Sequence, residues 1–260
     1  MNNDSFWAFV LGGSSGLGLA SAKALAKKNF NLFIVHRDGK IATKSFNEEI
    51  EKIKKEHLVD IITLNTNANT DQGKELIKIT LLKFPKKTIK VFLHSIADGH
   101  IKSLFDGKDT LTEEELLYTA QSMGFSFLVW TQWLLKNSFF SENAKVFGFT
   151  SAGSHRVIPG YAAVGTAKAI LETLCKYMAV ELAPYHISVN LLCPGVVKTK
   201  AIRVFPEIDK FINQVEQKNP HKRLTTPEDV ANLLSSLCSD EINWLTGEII
   251  HIDGGESNVF

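Results

Sequence analysis

Leu11-Gly12-Gly13-Ser14-Ser15-Gly16-Leu17-Gly18-Leu19-Ala20 stands directly behind the apolar run Phe6–Leu11 and opens a helix-patterned segment over 16–28. Gly12, Gly16 and Gly18 have the spacing GxxxGxG. A strand, a glycine-rich turn and a helix in that order bring unpaired N–H groups and the positive end of a helix dipole to one point. Glycine there lets the backbone come close enough to bind a pyrophosphate. Ser14 and Ser15 add hydroxyl donors. The expected cradle for a dinucleotide is therefore Gly12, Ser14, Ser15, Gly16, Leu17 and Gly18.

Beyond this turn, short apolar β-rich runs alternate with longer amphipathic segments. The runs are Phe6–Leu11, Leu32–Val35, Asp60–Leu64, Lys90–Ser95, Lys145–Thr150, Ile187–Leu192 and Glu248–Ile252. Helical periodicity falls near 16–28, 44–56, 71–83, 112–136, 161–183 and 227–238. Near-continuous apolar strands alternating with helices predict a doubly wound parallel sheet, a Rossmann fold of about seven strands with helices on both faces. A single Rossmann-type domain over 1–260 is expected. Thr112 with Glu115 reads as a capping box, and Thr226-Pro227-Glu228-Asp229 as an N-cap, a first-turn proline and first-turn acids. The long strandless stretch Lys198–Leu224 reads equally as a helical substrate lid or as a surface excursion.

Composition narrows the functional classes. The 260 residues carry a formal net charge of +1, so no global field recruits nucleic acid or an acidic membrane. Lysine-rich stretches such as Glu51–Glu56 (EKIKKE) interleave both signs, as a solvated helix face does. Cys175, Cys193 and Cys238 are widely spaced and odd in number, which predicts neither a disulfide framework nor a zinc site. No metal is expected, and a reducing, cytoplasmic setting is inferred. The N-terminal stretch lacks a basic leader region, and no apolar run reaches membrane-spanning length.

The second strand ends at Val35-His36-Arg37-Asp38. An acid at that tip would bind a ribose 2′-hydroxyl, whereas Arg37, the first charged residue, suits a 2′-phosphate. NADPH is thereby favoured over NADH, with neighbouring Asp38 pulling the other way. Behind the fifth strand, Ser151 is followed by Tyr161 and then Lys168 on a long helix. Seven positions are close to two helical turns, so tyrosine and lysine share a face. A lysine beside a phenol is expected to lower its pKa and to grip a nicotinamide ribose. Such a tyrosine can donate to an oxygen that gains charge during hydride transfer.

These pieces together resemble the short-chain dehydrogenase/reductase family over nearly the whole chain. The matching segments are the GxxxGxG turn, Asn67-Ala68, the Ser151 strand end, Cys193-Pro194-Gly195-Val196-Val197-Lys198-Thr199, and Ile252-Asp253-Gly254-Gly255. The resemblance implies that Asn67 and Ala68 lie by the adenine, and that Pro194, Gly195, Val197 and Thr199 lie by the nicotinamide carboxamide. Most members place the catalytic tyrosine four residues before the lysine, where this chain has Val164. The Y-x6-K spacing of Tyr161 and Lys168 is similar to that of enoyl-[acyl-carrier-protein] reductases. So are His94-Ser95-Ile96-Ala97, which adds Ser95, Ile96 and Ala97 to the implied coenzyme contacts, and Ile158-Pro159-Gly160-Tyr161.

Ser151 occupies the position of a second tyrosine in many enoyl reductases, as in the NADPH-using type that Tyr177–Leu182 and the region of Phe205-Pro206 resemble. The helix that usually supplies a catalytic asparagine reads Thr119-Ala120-Gln121-Ser122-Met123-Gly124, and Leu11 replaces the usual threonine before the first glycine. The resemblance implies reduction of a trans-2-enoyl thioester in fatty acid synthesis, with Tyr161, Lys168 and Ser151 as catalytic residues. It also implies an acyl carrier protein as the partner carrying the substrate and a homotetramer built on the two longest helices. An apolar acyl pocket is assigned to Ala97, Ile158, Phe205 and Phe211. Two other readings stay open: a carbonyl (3-ketoacyl) reductase, and a non-catalytic NADP(H)-binding redox sensor.

Overall fold

Alternate residues of the first strand, β1 (Trp7–Leu11), enter two separate cores. Trp7, Phe9 and Leu11 face one side of the sheet, and Ala8 and Val10 face the other. The structure, a computed structural model, describes residues 6–105, 107, 109–199 and 208–259. The strands are β1, β2 (Asn31–His36), β3 (Ile61–Asn65), β4 (Ile89–His94), β5 (Phe140–Phe149), β6 (Ser188–Pro194) and β7 (Ile249–Ile252). They form one parallel sheet in the order β3-β2-β1-β4-β5-β6-β7. The predicted doubly wound sheet is the one observed.

The helices are α1 (Gly16–Lys27), α2 (Lys40–Glu56), α3 (Asp71–Leu81), α4 (Glu113–Ala120), α5 (Ser126–Lys136), α6 (Ala162–Leu182), α7 (Ile208–Lys218) and α8 (Pro227–Leu237). One face of the sheet carries α1, α2 and α8, whose Leu25, Phe46, Ile50 and Leu234 pack on Ala8, Val10, Ile34 and Leu93. The other carries α3, α5 and α6, whose Ile77, Trp130 and Leu171 pack on Phe9, Phe33 and Phe92. Phe9 stacks between Phe33 and Phe92 at centroid distances of 5.1 and 5.2 Å, and Trp130 closes on it edgewise at 6.0 Å.

The predicted capping box is present, with Thr112 and Glu115 exchanging side-chain bonds at 3.1 and 3.2 Å, and the predicted N-cap Thr226 forms a second box with Asp229. Two features depart from the sequence pattern. β5 starts at Phe140 and not at Lys145: Phe140 already pairs with Ile89, and a register shift with Asn143 at φ 55° separates this pair from the regular ladder that begins at Lys145. The helix expected over 112–136 contains a widened turn over Gln121–Phe125 between α4 and α5, where Gly124 packs on Ala167 and Ile170 of α6. The stretch 198–224 contains α7, while residues 200–207, with Phe205 and Pro206, lie outside the described residues.

Chain order reverses between β1 and β4, which are neighbours although β2 and β3 intervene in sequence. A crevice forms beyond the carboxyl ends of strands at such a switch point.

Candidate functional site

The crevice at that switch point has a volume of about 380 Å3 and begins at the glycine-rich turn. The Gly12 N–H bonds the Val35 carbonyl at 2.8 Å, and the Leu11 carbonyl accepts from the Ser95 N–H at 2.8 Å, so the turn is pinned to both flanking strands. Gly12 sits at φ 92°, and a Cβ there would lie 2.5 Å from the Ser95 carbonyl oxygen. A Cβ at Gly18 would run into the Gly12 carbonyl oxygen. Ser15, which precedes α1, is extended and makes no side-chain cap bond, and no acid sits in the first turn. The first-turn N–H groups of α1 are thus left for an anion, which is the property a diphosphate cradle needs.

The crevice gathers nearly every residue singled out from the sequence. Gly12, Ser14, Ser15, Gly16 and Leu17 form its floor, while Gly18 lies behind it. Arg37, Asn67 and Ala68 line one end, Ser95, Ile96 and Ala97 the middle, and Ser151, Tyr161, Lys168, Pro194, Gly195, Val197 and Thr199 the other end. Their common position follows from topology, since each stands at or just past the carboxyl end of a parallel strand or at the start of the next helix.

At the chemical end, Tyr161 immediately precedes α6 and Lys168 lies on its buried face. The Ser151 and Tyr161 hydroxyl oxygens are 3.3 Å apart. Burial holds the Tyr161 phenol above its ordinary value, against a smaller downward pull from the Ser151 hydrogen bond. The net direction is thus upward, opposite to the lowering expected from a neighbouring lysine. The Lys168 ammonium instead donates to the Phe149 carbonyl at 2.7 Å. It is 5% exposed, and burial brings it down to about 8, with Glu172 and Cys193 acting the other way. A neutral phenol at neutral pH is the form that donates a proton or a hydrogen bond.

The segment carrying Ser151 is tied down on both sides. The Thr150 hydroxyl donates to Glu172 at 2.5 Å and the Ser154 hydroxyl to the same oxygen at 2.7 Å. Glu172 lies one turn beyond Lys168 on α6, so one helix positions the tyrosine, the lysine and the serine. His94 is fully buried, and its Nε2 lies 2.6 Å from the Ser126 hydroxyl, which itself donates to the Ser122 carbonyl at 2.6 Å. Burial lowers His94 to about 3, and Lys168 pushes the same way, so the imidazole is a neutral packing group. On the other side of Tyr161, a second cavity of about 520 Å3 is lined by Leu104, Val157, Ile158 and Ala169. Of the residues assigned to an acyl pocket, Ile158 lines this cavity and Ala97 the crevice, Phe211 is 40% exposed and lines neither, and Phe205 is outside the described residues. A larger groove beside α2, about 840 Å3, is walled by interleaved Lys44, Glu48, Glu51 and Lys52 and lies on the outer face of that helix, away from the tyrosine.

At the opposite end, Arg37 is paired with Asp98 through two contacts of 3.0 Å. Desolvation opposes the guanidinium charge, and Asp98 more than offsets it, so its pKa is raised. The Asp38 carboxylate turns to His36 Nδ1 at 2.7 Å. Asp98, Asn69 and Met123 line the crevice, yet nothing in their local sequence marked them. Met123 reaches the crevice from the widened turn, which periodicity alone did not signal.

The family profile described as Enoyl-(Acyl carrier protein) reductase matches residues 12–257. A Caenorhabditis elegans protein named dehydrogenase/reductase SDR family member 4 is 31% identical over 95% of this chain and 94% of its own length. An enoyl-[acyl-carrier-protein] reductase [NADH] of Buchnera aphidicola is 29% identical over 90% of this chain and 87% of its own. The crystal structure of an enoyl-[acyl-carrier-protein] reductase (NADH) from Aquifex aeolicus superposes with a TM-score of 0.81 at 23% identity, covering 97% of this chain and 96% of the other.

Proposed function

The chain belongs to the short-chain dehydrogenase/reductase family of NAD(P)H-dependent oxidoreductases, and from that premise we propose that it reduces the 2,3-double bond of a trans-2-enoyl thioester. The observation that carries this reading is the Tyr161 hydroxyl, seven residues ahead of Lys168 and 3.3 Å from Ser151, at the carboxyl edge of the sheet. The open N-terminus of α1 and the turn that a Cβ at Gly12 or Gly18 would fill fit a dinucleotide diphosphate. A reduced nicotinamide bound there supplies hydride.

The chain's own residues handle the charge that appears on the thioester carbonyl oxygen. The Tyr161 hydroxyl donates to that oxygen and binds it more tightly as it becomes an enolate. Lys168, on the buried face of α6 and held by the Phe149 carbonyl at the end of β5, adds positive potential and is placed to take a ribose hydroxyl. Ser151, braced through Thr150 and Ser154, orients the phenol. The widened turn of α4–α5 has no asparagine, which supports an enoyl over a keto substrate. The cavity beside Tyr161 suits an acyl chain, and an acyl carrier protein is the carrier this reading prefers. NADPH is the preferred coenzyme on the strength of Arg37 at the tip of β2. The reading includes a homotetramer in which the exposed apolar residues of α5 and α6, Val129, Tyr177 and Val180, are covered.

A spectrophotometric comparison of crotonyl and acetoacetyl thioesters, each with NADPH and NADH, tests it. Oxidation of coenzyme with crotonyl thioester alone is expected. Turnover of acetoacetyl thioester alone would make the chain a carbonyl reductase, and tight coenzyme binding without any turnover would make it a sensor.

A further inference from the structure

Arg37 follows β2 and Asp98 follows β4, and these strands flank β1 on its two sides. Their ion pair therefore reaches across the head of the glycine-rich turn, where the adenosine half of a dinucleotide would lie on the reading above. Both ends of the guanidinium fork are used, with Nη2 donating to Oδ1 and Nη1 contacting Oδ2, each at 3.0 Å. The carboxylate is itself anchored. The Tyr118 hydroxyl donates to Oδ2 at 2.6 Å and Asn69 Nδ2 at 3.3 Å, and Asn69 also donates to the buried Ser122 hydroxyl at 2.8 Å. Asp98 is thus fixed to α4 and the widened turn, whereas the Arg37 side chain is 54% exposed. Among the described residues lining the crevice, the arginine and lysine side chains are Arg37 and Lys168, and Lys168 lies at the chemical end.

We propose that Asp98 is a specificity-determining residue for the coenzyme: it competes with an adenosine 2′-phosphate for Arg37 and keeps discrimination between phosphorylated and unphosphorylated dinucleotides small. A 2′-phosphate engages the fork only by sharing or displacing the carboxylate, and it then stands beside a like charge held in place by Tyr118 and Asn69. An unphosphorylated ribose leaves the pair intact. Both effects have the same sign, so Asp98 weakens exactly the interaction that Arg37 at the β2 tip provides. The inference rests on the dinucleotide reading of the crevice and does not depend on which thioester is reduced.

Adenosine 2′,5′-bisphosphate and adenosine 5′-monophosphate differ only in the 2′-phosphate, and calorimetric titration of the whole protein with each reads binding without turnover. Asp98→Asn keeps the side-chain volume and removes the charge. It is expected to tighten the bisphosphate about tenfold while leaving the monophosphate within about twofold. Arg37→Gln should weaken the bisphosphate about tenfold, and adding Asp98→Asn to it should then tighten the bisphosphate by clearly less than in wild type, because only the direct like-charge repulsion is left to remove. Asp98→Ser, with its fold checked by circular dichroism, serves the same comparison if the asparagine variant does not fold. Equal changes for both ligands, no change for either, or an undiminished Asp98 effect in the Arg37→Gln background would overturn the proposal. Wild-type protein that binds neither nucleotide would overturn the dinucleotide reading and this inference with it, whereas monophosphate binding with no Asp98 effect overturns this inference alone.

Discussion

Replacing Lys168 by methionine should make the ligand-free protein more stable and the enzyme nearly inactive. The ammonium is buried, and its pKa falls from 10.5 to about 8. At 1.36 kcal/mol per unit, holding the charge inside costs the fold about 3 kcal/mol at pH 7. Methionine fills the same volume without charge, but it gives up the 2.7 Å bond to the Phe149 carbonyl. A hydrogen bond from a charged donor contributes about 1.5–3 kcal/mol, so the net gain is about 1 kcal/mol, or roughly 2–4 °C in Tm. The pH dependence isolates the charge. Below pH 8 the folded and unfolded chains both hold the proton, and the cost is present in full. Between about 8 and 10.5 only the unfolded chain holds it, so unfolding takes up a proton and wild-type stability rises with pH. The variant lacks the group, and the stability difference should therefore move by about 2–3 kcal/mol in favour of wild type between about pH 7 and pH 10. Urea unfolding of both proteins across that range reads it, and coenzyme oxidation by the variant should fall at least about a hundredfold. A difference that stays flat from pH 7 to pH 10, with the variant the less stable protein throughout, would refute the burial argument.

Three further outcomes are expected. Tyr161→Phe should reduce turnover by roughly two to four powers of ten with the coenzyme Kd kept, as fluorescence titration and steady-state rates would show, and a wild-type rate would remove Tyr161 from the chemistry. Gly18→Ala drives a Cβ against the Gly12 carbonyl, so it should cost about 1–3 kcal/mol in urea unfolding and weaken coenzyme binding more than about tenfold; unchanged binding would mean that the turn is not the diphosphate cradle. Glu172→Ala removes the acceptor shared by Thr150 and Ser154, and turnover should fall about tenfold with coenzyme affinity retained; lost affinity at an unchanged rate would place its role in the crevice instead.

Much of the site was legible because its chemistry is carried by residues close together in sequence. The glycine turn, the Tyr161–Lys168 spacing and the Pro194–Thr199 turn are local patterns, and parallel strand–helix alternation sends every strand end to one edge. Tyr161 and Ser151 also had to meet, since a strand end and the helix that follows it are joined by few residues. Asp98 was not legible, because it matters only through Arg37, a residue 61 positions away. Met123 was hidden by the widened turn, which a helical period over 112–136 does not reveal.

The positions of strands and helices, the parallel class of the sheet and the place of the diphosphate cradle were determined by the amino-acid sequence alone, because period, glycine spacing and capping act over a few residues. The protonation balance was decided by tertiary structure. Packing buries Tyr161 and raises its phenol, turns the Lys168 ammonium to a backbone carbonyl, and sets a carboxylate from beyond β4 on the arginine beyond β2. Desolvation and Coulomb energy depend on which groups surround a charge in space, and in a doubly wound sheet those groups come from distant segments of the chain.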